Sequence, residues 1–421
     1  MSASPAPPPA APSYAAVLRT PYACRTFGAA LLGRLSYGMV SLSLILAVKG
    51  ATGSYAVAGT VMALFGLTSV LLSPARAGLV DRHGPRRALL PMAAGYALSL
   101  TALAVATSWP GAPGVLLGAL AVPAGMCTPP LGPVMRTLWS DLVPDRALLR
   151  RAYSLDGVAE ELLFVTGPLV VGVLAQFATA SAGLAVSAAL VLTGTLALVS
   201  APPVRDRTGH KATRPASDER PSAARRGGRR SNPGLRQATA AAAAVGICLG
   251  AFDLLVIAYT DAHGAPGATV AWALAAMSAG SAVGGLVYGA ISWRAASRTR
   301  LAFLAVALGL TLAGTGFAPH PAVLVAAAAL GGLFIAPALT TAYLIADESA
   351  DPALRTTAGA WVNTALNAGS SGATAAVGLL VGRLPLPLCF ALAAIPVLLS
   401  AASALRTWNP PNTKPLAPTT R

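Results

Sequence analysis

The chain has 421 residues, of which 55% are hydrophobic and 10% charged. Soluble domains carry about 25% charged residues, so this composition excludes an ordinary soluble protein and points to a membrane. The net charge of +16 would suit nucleic acid, but the cations fall in gaps between apolar runs and form no basic face, which favours lipid and topology as their cause.

Residues 1–26 are rich in Pro and Ala and carry no charge before Arg19. A signal peptide needs a basic segment ahead of its apolar core, so a short disordered cytoplasmic tail is expected instead. Twelve apolar runs follow, each long enough to cross a bilayer. The first six cover residues 27–48, 55–75, 88–108, 115–138, 155–177 and 182–200. The second six cover 238–259, 268–291, 301–317, 323–346, 359–381 and 387–405. Residues 27–200 and 238–405 thus read as two six-helix bundles of an all-α membrane protein. Between them, residues 201–237 place ten cations and three acids among Pro, Gly and Ser, the composition of a disordered linker held against an anionic leaflet. Residues 406–421 form a second tail. The four cysteines make no CxxC pair and read as small hydrophobes of the helices.

Charge sets the orientation. With both termini in the cytoplasm, all but three of the 30 Lys and Arg lie in or beside cytoplasmic segments. Lys49 and Arg383 fall outside, and Arg34 lies within a span. The opposite orientation would translocate almost every cation, against the positive-inside rule. A plasma membrane of bacterial type is the expected location.

The two halves repeat at an offset of 207 residues. Asp156 corresponds to Asn363, Glu160 to Asn367, Pro130 to Pro337, and Gly78-Leu79-Val80 to Gly285-Leu286-Val287. In an Ala-rich chain the polar pairs carry the weight. Parallel halves related by an axis along the membrane normal are one transporter architecture, with substrate bound between them near mid-membrane.

The segment at residues 78–87 carries Asp81, Arg82, Arg86 and Arg87 around Gly84 and Pro85, with Arg76 just upstream. It reads as a charged cytoplasmic turn between two spans. It also resembles the signature loop of the major facilitator superfamily, roughly Gly-x-Leu-Ala-Asp-Arg-x-Gly-Arg-Arg/Lys. Leu79, Asp81, Arg82, Gly84 and Arg86 match in place, while Ala77, Val80 and Pro85 depart from the pattern. The resemblance implies a latch in the outward-facing state. Asp81 would face the start of the eleventh span, near residues 356–359, where the helix dipole favours negative charge. Arg136, near the end of the fourth span, would join it. The second half keeps only Gly285-Leu286-Val287-Tyr288-Gly289, so the latch is expected on one side. Gly167, Pro168 and Gly172 in the fifth span resemble the segment that antiporters of the family carry, where glycines let the fifth and eighth spans approach. Plain helix packing reads the same residues equally well.

Ionisable residues within spans are costly and point to function. Arg34 lies in the first span, Glu160 and Glu161 in the fifth, and Asp253 in the seventh. Arg34 and the two glutamates are expected at one depth, with a salt bridge from Arg34 to either Glu160 or Glu161. That pair reads either as static or as a carboxylate that takes up protons. Asp253 has no cation at its depth in the second half, which suits proton coupling, recognition of a cationic substrate, or hydrogen bonds to helix hydroxyls. Asp156 and Glu160 are four residues apart, on one helical face. Asn363 and Asn367 form the matching stripe and could bind substrate or another helix. Tyr37, Tyr259 and Trp361 are candidate cavity aromatics.

No histidine forms a metal-ligand pair and no phosphate-binding Gly-Lys-Ser/Thr loop occurs, so no metal, cofactor or ATP engine is expected. No nucleophile–base constellation marks an enzyme. The resemblance implies a secondary transporter, expected to act as a monomer and to export a small organic molecule against protons. Import of a metabolite, or a receptor or scaffold with the same fold, are the alternatives.

Overall fold

The computed structural model describes residues 13–143, 145–179, 181–205, 232–266, 268–293 and 295–406. Among these residues the secondary structure is helical, with no strand. The first half contains α1 (Tyr14–Arg19), α2 (Ala23–Thr52), α3 (Tyr55–Leu71), α4 (Ser73–His83), α5 (Pro85–Ala106), α6 (Gly114–Cys127), α7 (Leu131–Leu142), α8 (Arg146–Phe177), α9 (Ala182–Ser200) and α10 (Pro202–Arg205). The second half contains α11 (Pro233–Ala262), α12 (Ala268–Ala290), α13 (Ser297–Thr315), α14 (Pro321–Ser349), α15 (Arg355–Leu380) and α16 (Leu386–Arg406).

Among the described residues, nine helices are long and apolar enough to cross a membrane, α6 and α7 counting together, and the bent α3–α4 pair makes ten. The other two predicted runs correspond to α13, which opens on Arg298 and Arg300, and α15, which carries Asn363 and Asn367. Most of the predicted linker and the second tail lie outside the described residues.

Several boundaries differ from expectation for local reasons. The predicted first tail contains α1, capped by Ser13, whose hydroxyl accepts from Ala16 N at 3.1 Å. Val17 on this helix is fully buried. The charged turn at residues 78–87 is helical apart from Gly84, whose φ of 82° joins α4 to α5 and favours glycine. The second predicted span therefore continues through α4, bending by 44° at Leu72. Pro74 promotes the bend, because proline removes an N–H from the helical ladder. The fourth span breaks at residues 128–130, where Pro129 and Pro130 interrupt it. The fifth begins at Arg146, nine residues earlier than predicted. Asp145 caps it by accepting from Leu148 N at 2.7 Å.

Within the first half, α2 packs against α8 and α9; within the second, α11 packs against α14, α15 and α16. The halves meet along two matching seams, α4 with α15 and α8 with α12. Gly167 does not serve the second seam. A Cβ there would collide with the backbone of Gly38, so it sets the approach of α8 to α2. Gly172 has nothing within 4 Å of a built Cβ. The close approach of α8 to α12 rests on Gly285 and Gly289, which face Ser154 and Val158. Of the two readings of the Gly167-Pro168-Gly172 segment, Gly167 therefore fits plain helix packing, on the face of α8 turned to α2, and not the approach to the eighth span. Overpacking a tight helix contact costs about 1–3 kcal/mol. Gly167→Val should therefore lower the thermal midpoint of the purified protein, whereas Gly172→Val should leave it within error. Equal shifts would mean that the α2–α8 contact is not tight.

Candidate functional site

The two halves enclose a cavity of about 780 Å³. The first half lines it with Arg34, Tyr37, Arg76, Arg136, Glu160 and Glu161, and the second with Asp253, Ser281, Tyr343, Asn363 and Asn367, among others.

At the base of the first-half wall, two guanidiniums and two carboxylates form a closed four-membered cluster. Arg34 lies 2.7 Å from Asp156 and 2.9 Å from Glu160. Arg136 lies 3.1 Å from Asp156 and also pairs with Glu160. The Asp156 side chain is fully buried and that of Glu160 is 29% exposed, so Glu160 is the acid that faces the cavity. Charges out of water are tolerated when paired and hydrogen-bonded, and two cations against two anions leave this cluster neutral. Of the two expected partners, Arg34 takes Glu160. Asp156, which the sequence reading placed on the same face without assigning it a charge partner, completes the cluster. Its spacing of four residues from Glu160 was the available signal.

Glu161 points across to the second half, where Ser281 donates a hydrogen bond to it. Asp253 lines the cavity and has no hydrogen bond or ion pair among the described residues. Asn367 donates to the carbonyl of Asn363 at 2.8 Å, one turn back on its own helix. Tyr37 lines the cavity and donates to Pro129 O at 2.5 Å. Tyr259 and Trp361 do not line it. Tyr259 is buried, donating to Ala318 O at 2.9 Å, and Trp361 is 49% exposed elsewhere.

One end of the cavity is closed. Asp81 accepts from Thr356 N at 3.3 Å, and from Thr357 N and Oγ1 at 2.8 and 2.6 Å. These are the second and third residues of α15, whose own N-cap, Leu354, offers no side-chain acceptor. An N-cap side chain normally satisfies those N–H groups, so Asp81 supplies from one half the cap that a helix of the other half lacks. Arg136 does not join this contact. Its charge is taken by the cluster, and its guanidinium lies 3.8 Å from the centre of the Tyr343 ring across the interface. Its neighbour Thr137 reaches α15 instead, 3.2 Å from the Thr356 hydroxyl. Arg82 and Arg86 are exposed. Two further interface contacts join residues related by the repeat: Ser140 with Asp347, and Arg136 with Tyr343. Residues equivalent in the two halves can touch only near the axis that relates them, which places these pairs on it. Among the described residues, every hydrogen bond and ion pair between the halves lies at the Asp81 end or at cavity level.

Arg76 read as a cation of the charged turn, yet it is buried, 6% exposed, and faces the cavity. Its guanidinium donates to Ser69 O at 2.6 Å and to Gly125 O and Met126 O at 2.6 and 3.2 Å. Those carbonyls belong to the last turns of α3 and α6, the two helices that break at this level. One side chain thus satisfies two interrupted helix ends, where cations are favoured. Sequence spacing did not reveal this, because the two breaks adjoin only in the folded chain. Removing one partner from a buried ion cluster costs about 3–5 kcal/mol. Asp156→Ala should therefore lower the thermal midpoint in detergent more than Glu160→Gln, whose site reaches the cavity and water. A larger loss for the Glu160 variant would contradict this grading of the cluster by burial.

The sequence matches the family model of the Major Facilitator Superfamily over residues 26–301 and 238–421. Among solved structures, the chain is similar to the human organic anion transporter MFSD10 (TETRAN), with a TM-score of 0.67 at 14% identity, covering 93% of this chain and 100% of that one. It is also similar to a bacterial homologue of the iron transporter ferroportin in an outward-facing state, with a TM-score of 0.71 at 14% identity over 91% and 98% of the two chains. A third likeness is to the superfamily transporter FucP in the outward conformation, with a TM-score of 0.61 at 16% identity over 91% and 99%. At such identities these likenesses establish the fold. No curated protein matches the sequence. Helical architecture, central cavity and family match agree: the chain belongs to the Major Facilitator Superfamily and is a multi-pass membrane transporter.

Proposed function

We propose that this protein is a secondary active transporter that exports a small organic molecule in exchange for protons by alternating access. It would sit in the plasma membrane with both termini and the Asp81 end in the cytoplasm, an orientation that the distribution of Lys and Arg supports. The observation that carries the reading is the cavity between the halves, closed at the Asp81 end and floored by a buried, neutral charge cluster. Such a cluster has no packing advantage over apolar side chains and is expected where charge must be rearranged during a transport cycle. A proton arriving from the cavity at Glu160 would leave Asp156 alone between two guanidiniums, and rearrangement of that side would follow. Asp253, Glu161, Asn363 and Asn367 supply acceptors and donors to a substrate in the cavity.

Reconstitution into liposomes under an imposed pH gradient tests the reading. A panel of lipophilic cations, organic anions and sugars should contain at least one compound whose flux follows the gradient and exchanges for protons. No flux of any compound under any gradient would favour a receptor or scaffold built on this fold. Flux in the direction of the protons would make the protein an importer.

The closed end gives a second test. Asn in place of Asp81 keeps one acceptor and loses the charge. Hydrogen bonds to charged groups are worth about 1.5–3 kcal/mol, and about 1.4 kcal/mol is a tenfold change in an equilibrium. Asp81→Asn should insert normally but lower exchange roughly tenfold. Wild-type exchange by this variant would remove Asp81 from the gating mechanism.

A further inference from the structure

The seam between α8 and α12 corresponds, under the repeat, to the seam between α15 and α4, yet it is held by different chemistry. At the 207-residue offset Asp81 corresponds to Tyr288. Tyr288 does not cross the interface. Its hydroxyl is engaged by Thr341 at 2.7 Å and by Arg300 at 2.6 Å, both within the second half. The crossing is made in the opposite direction. Arg150 donates to Ile291 O at 3.0 Å and Arg151 to Ala290 O at 2.7 Å. Both arginines are over nine-tenths buried. Their acceptors are the carbonyls at the C-terminal end of α12, which the helix itself leaves unpaired and where cations are favoured. Tyr14 of α1 adds a hydrogen bond to Leu286 O on the same helix.

The two seams therefore share one polarity. Donors sit at the start of α15 or α8, and acceptors sit at the end of α4 or α12. In one seam the acceptor is a carboxylate facing backbone N–H groups. In the other the donor is a pair of guanidiniums facing backbone carbonyls. Gly285 and Gly289 allow the approach, since Ser154, Val158 and Tyr14 occupy the space a side chain there would need.

We infer that Arg150 and Arg151, assisted by Tyr14, form a second latch across the closed end, the counterpart of Asp81. The inference rests on the alternating-access reading above. It replaces the one-sided latch expected from the sequence with two latches on opposite sides of the axis. Opening this end breaks both. Because the two sites share no partner, their contributions to the equilibrium between closed and open ends add.

Spin labels at Leu79→Cys and Leu354→Cys provide the test. Both residues are exposed, and α4 contacts the 3-10 turn that ends at Leu354 in the closed form. The full chain, with its four cysteines replaced by alanine, is labelled in proteoliposomes and inter-label distances are measured by pulsed electron resonance. Arg150→Gln with Arg151→Gln should raise the ratio of long to short distances roughly tenfold, Asp81→Asn should do likewise, and the combination should multiply the two effects. An unchanged ratio in the arginine variant, with a shift in Asp81→Asn, overturns the second latch and leaves alternating access standing. A single short distance in every variant overturns both. If the Gln pair does not give folded protein, Arg150→Lys with Arg151→Lys carries the test. Lysine keeps both charges but loses the fork geometry, so an intermediate shift is expected, and the wild-type ratio would overturn the inference.

Discussion

A helix end leaves several backbone groups without partners in its own ladder, and where packing excludes water another part of the chain must supply them. The organisation of this protein follows from how those ends are satisfied. Asp81 caps α15 from the opposite half. Arg76 takes up the carbonyls of α3 and α6 where both are interrupted. Arg150 and Arg151 take up those of α12. Each case sets a charged side chain against a helix terminus of the complementary sign, and each joins segments that are not contiguous. The same charged residues that would be costly in an apolar environment therefore hold the assembly together.

Cavity and closed end are linked through this arrangement. Arg76 fixes α4, which carries Asp81, to the end of α6, and beyond the break at residues 128–130 α7 carries Arg136 into the ion cluster. Thr137, one residue on, touches the same α15 terminus that Asp81 caps. A change of charge at Glu160, the cluster member that meets the cavity, is thus separated from the contacts at the Asp81 end by a few packed residues. The neutrality of the cluster matters here, since loss of any one charge leaves the others uncompensated in a place with little water.

Much of this was legible in sequence. Composition, the lengths of the apolar runs and the repeat indicate a two-bundle helical membrane protein, and the motif around Asp81 identifies its contact with the start of α15. Arg34, Glu160 and Asp253 stand out because ionisable residues are rare in apolar helices. A residue's role is not legible in sequence where it depends on a distant segment. The family resemblance implies that Arg136 joins Asp81, but Asp156 and Glu160 claim it because they are the anions at its depth. Gly167 reads equally well as part of the seam with α12 or as plain packing, and only the rotation of α8 turns it towards Gly38 of α2. Arg150 and Arg151 enter the sequence analysis only as two of the cytoplasmic cations, since nothing local shows that their acceptors are backbone carbonyls of a distant helix.

By itself the sequence determined which stretches must leave water, how they repeat, and which few charges had to find partners. Those properties follow from local hydrophobicity and from the cost of burying charge. The tertiary structure decided which partner each charge found and where each helix breaks. A guanidinium is satisfied as well by a carbonyl as by a carboxylate, and only the packing of helices far apart in the chain brings one of them within reach.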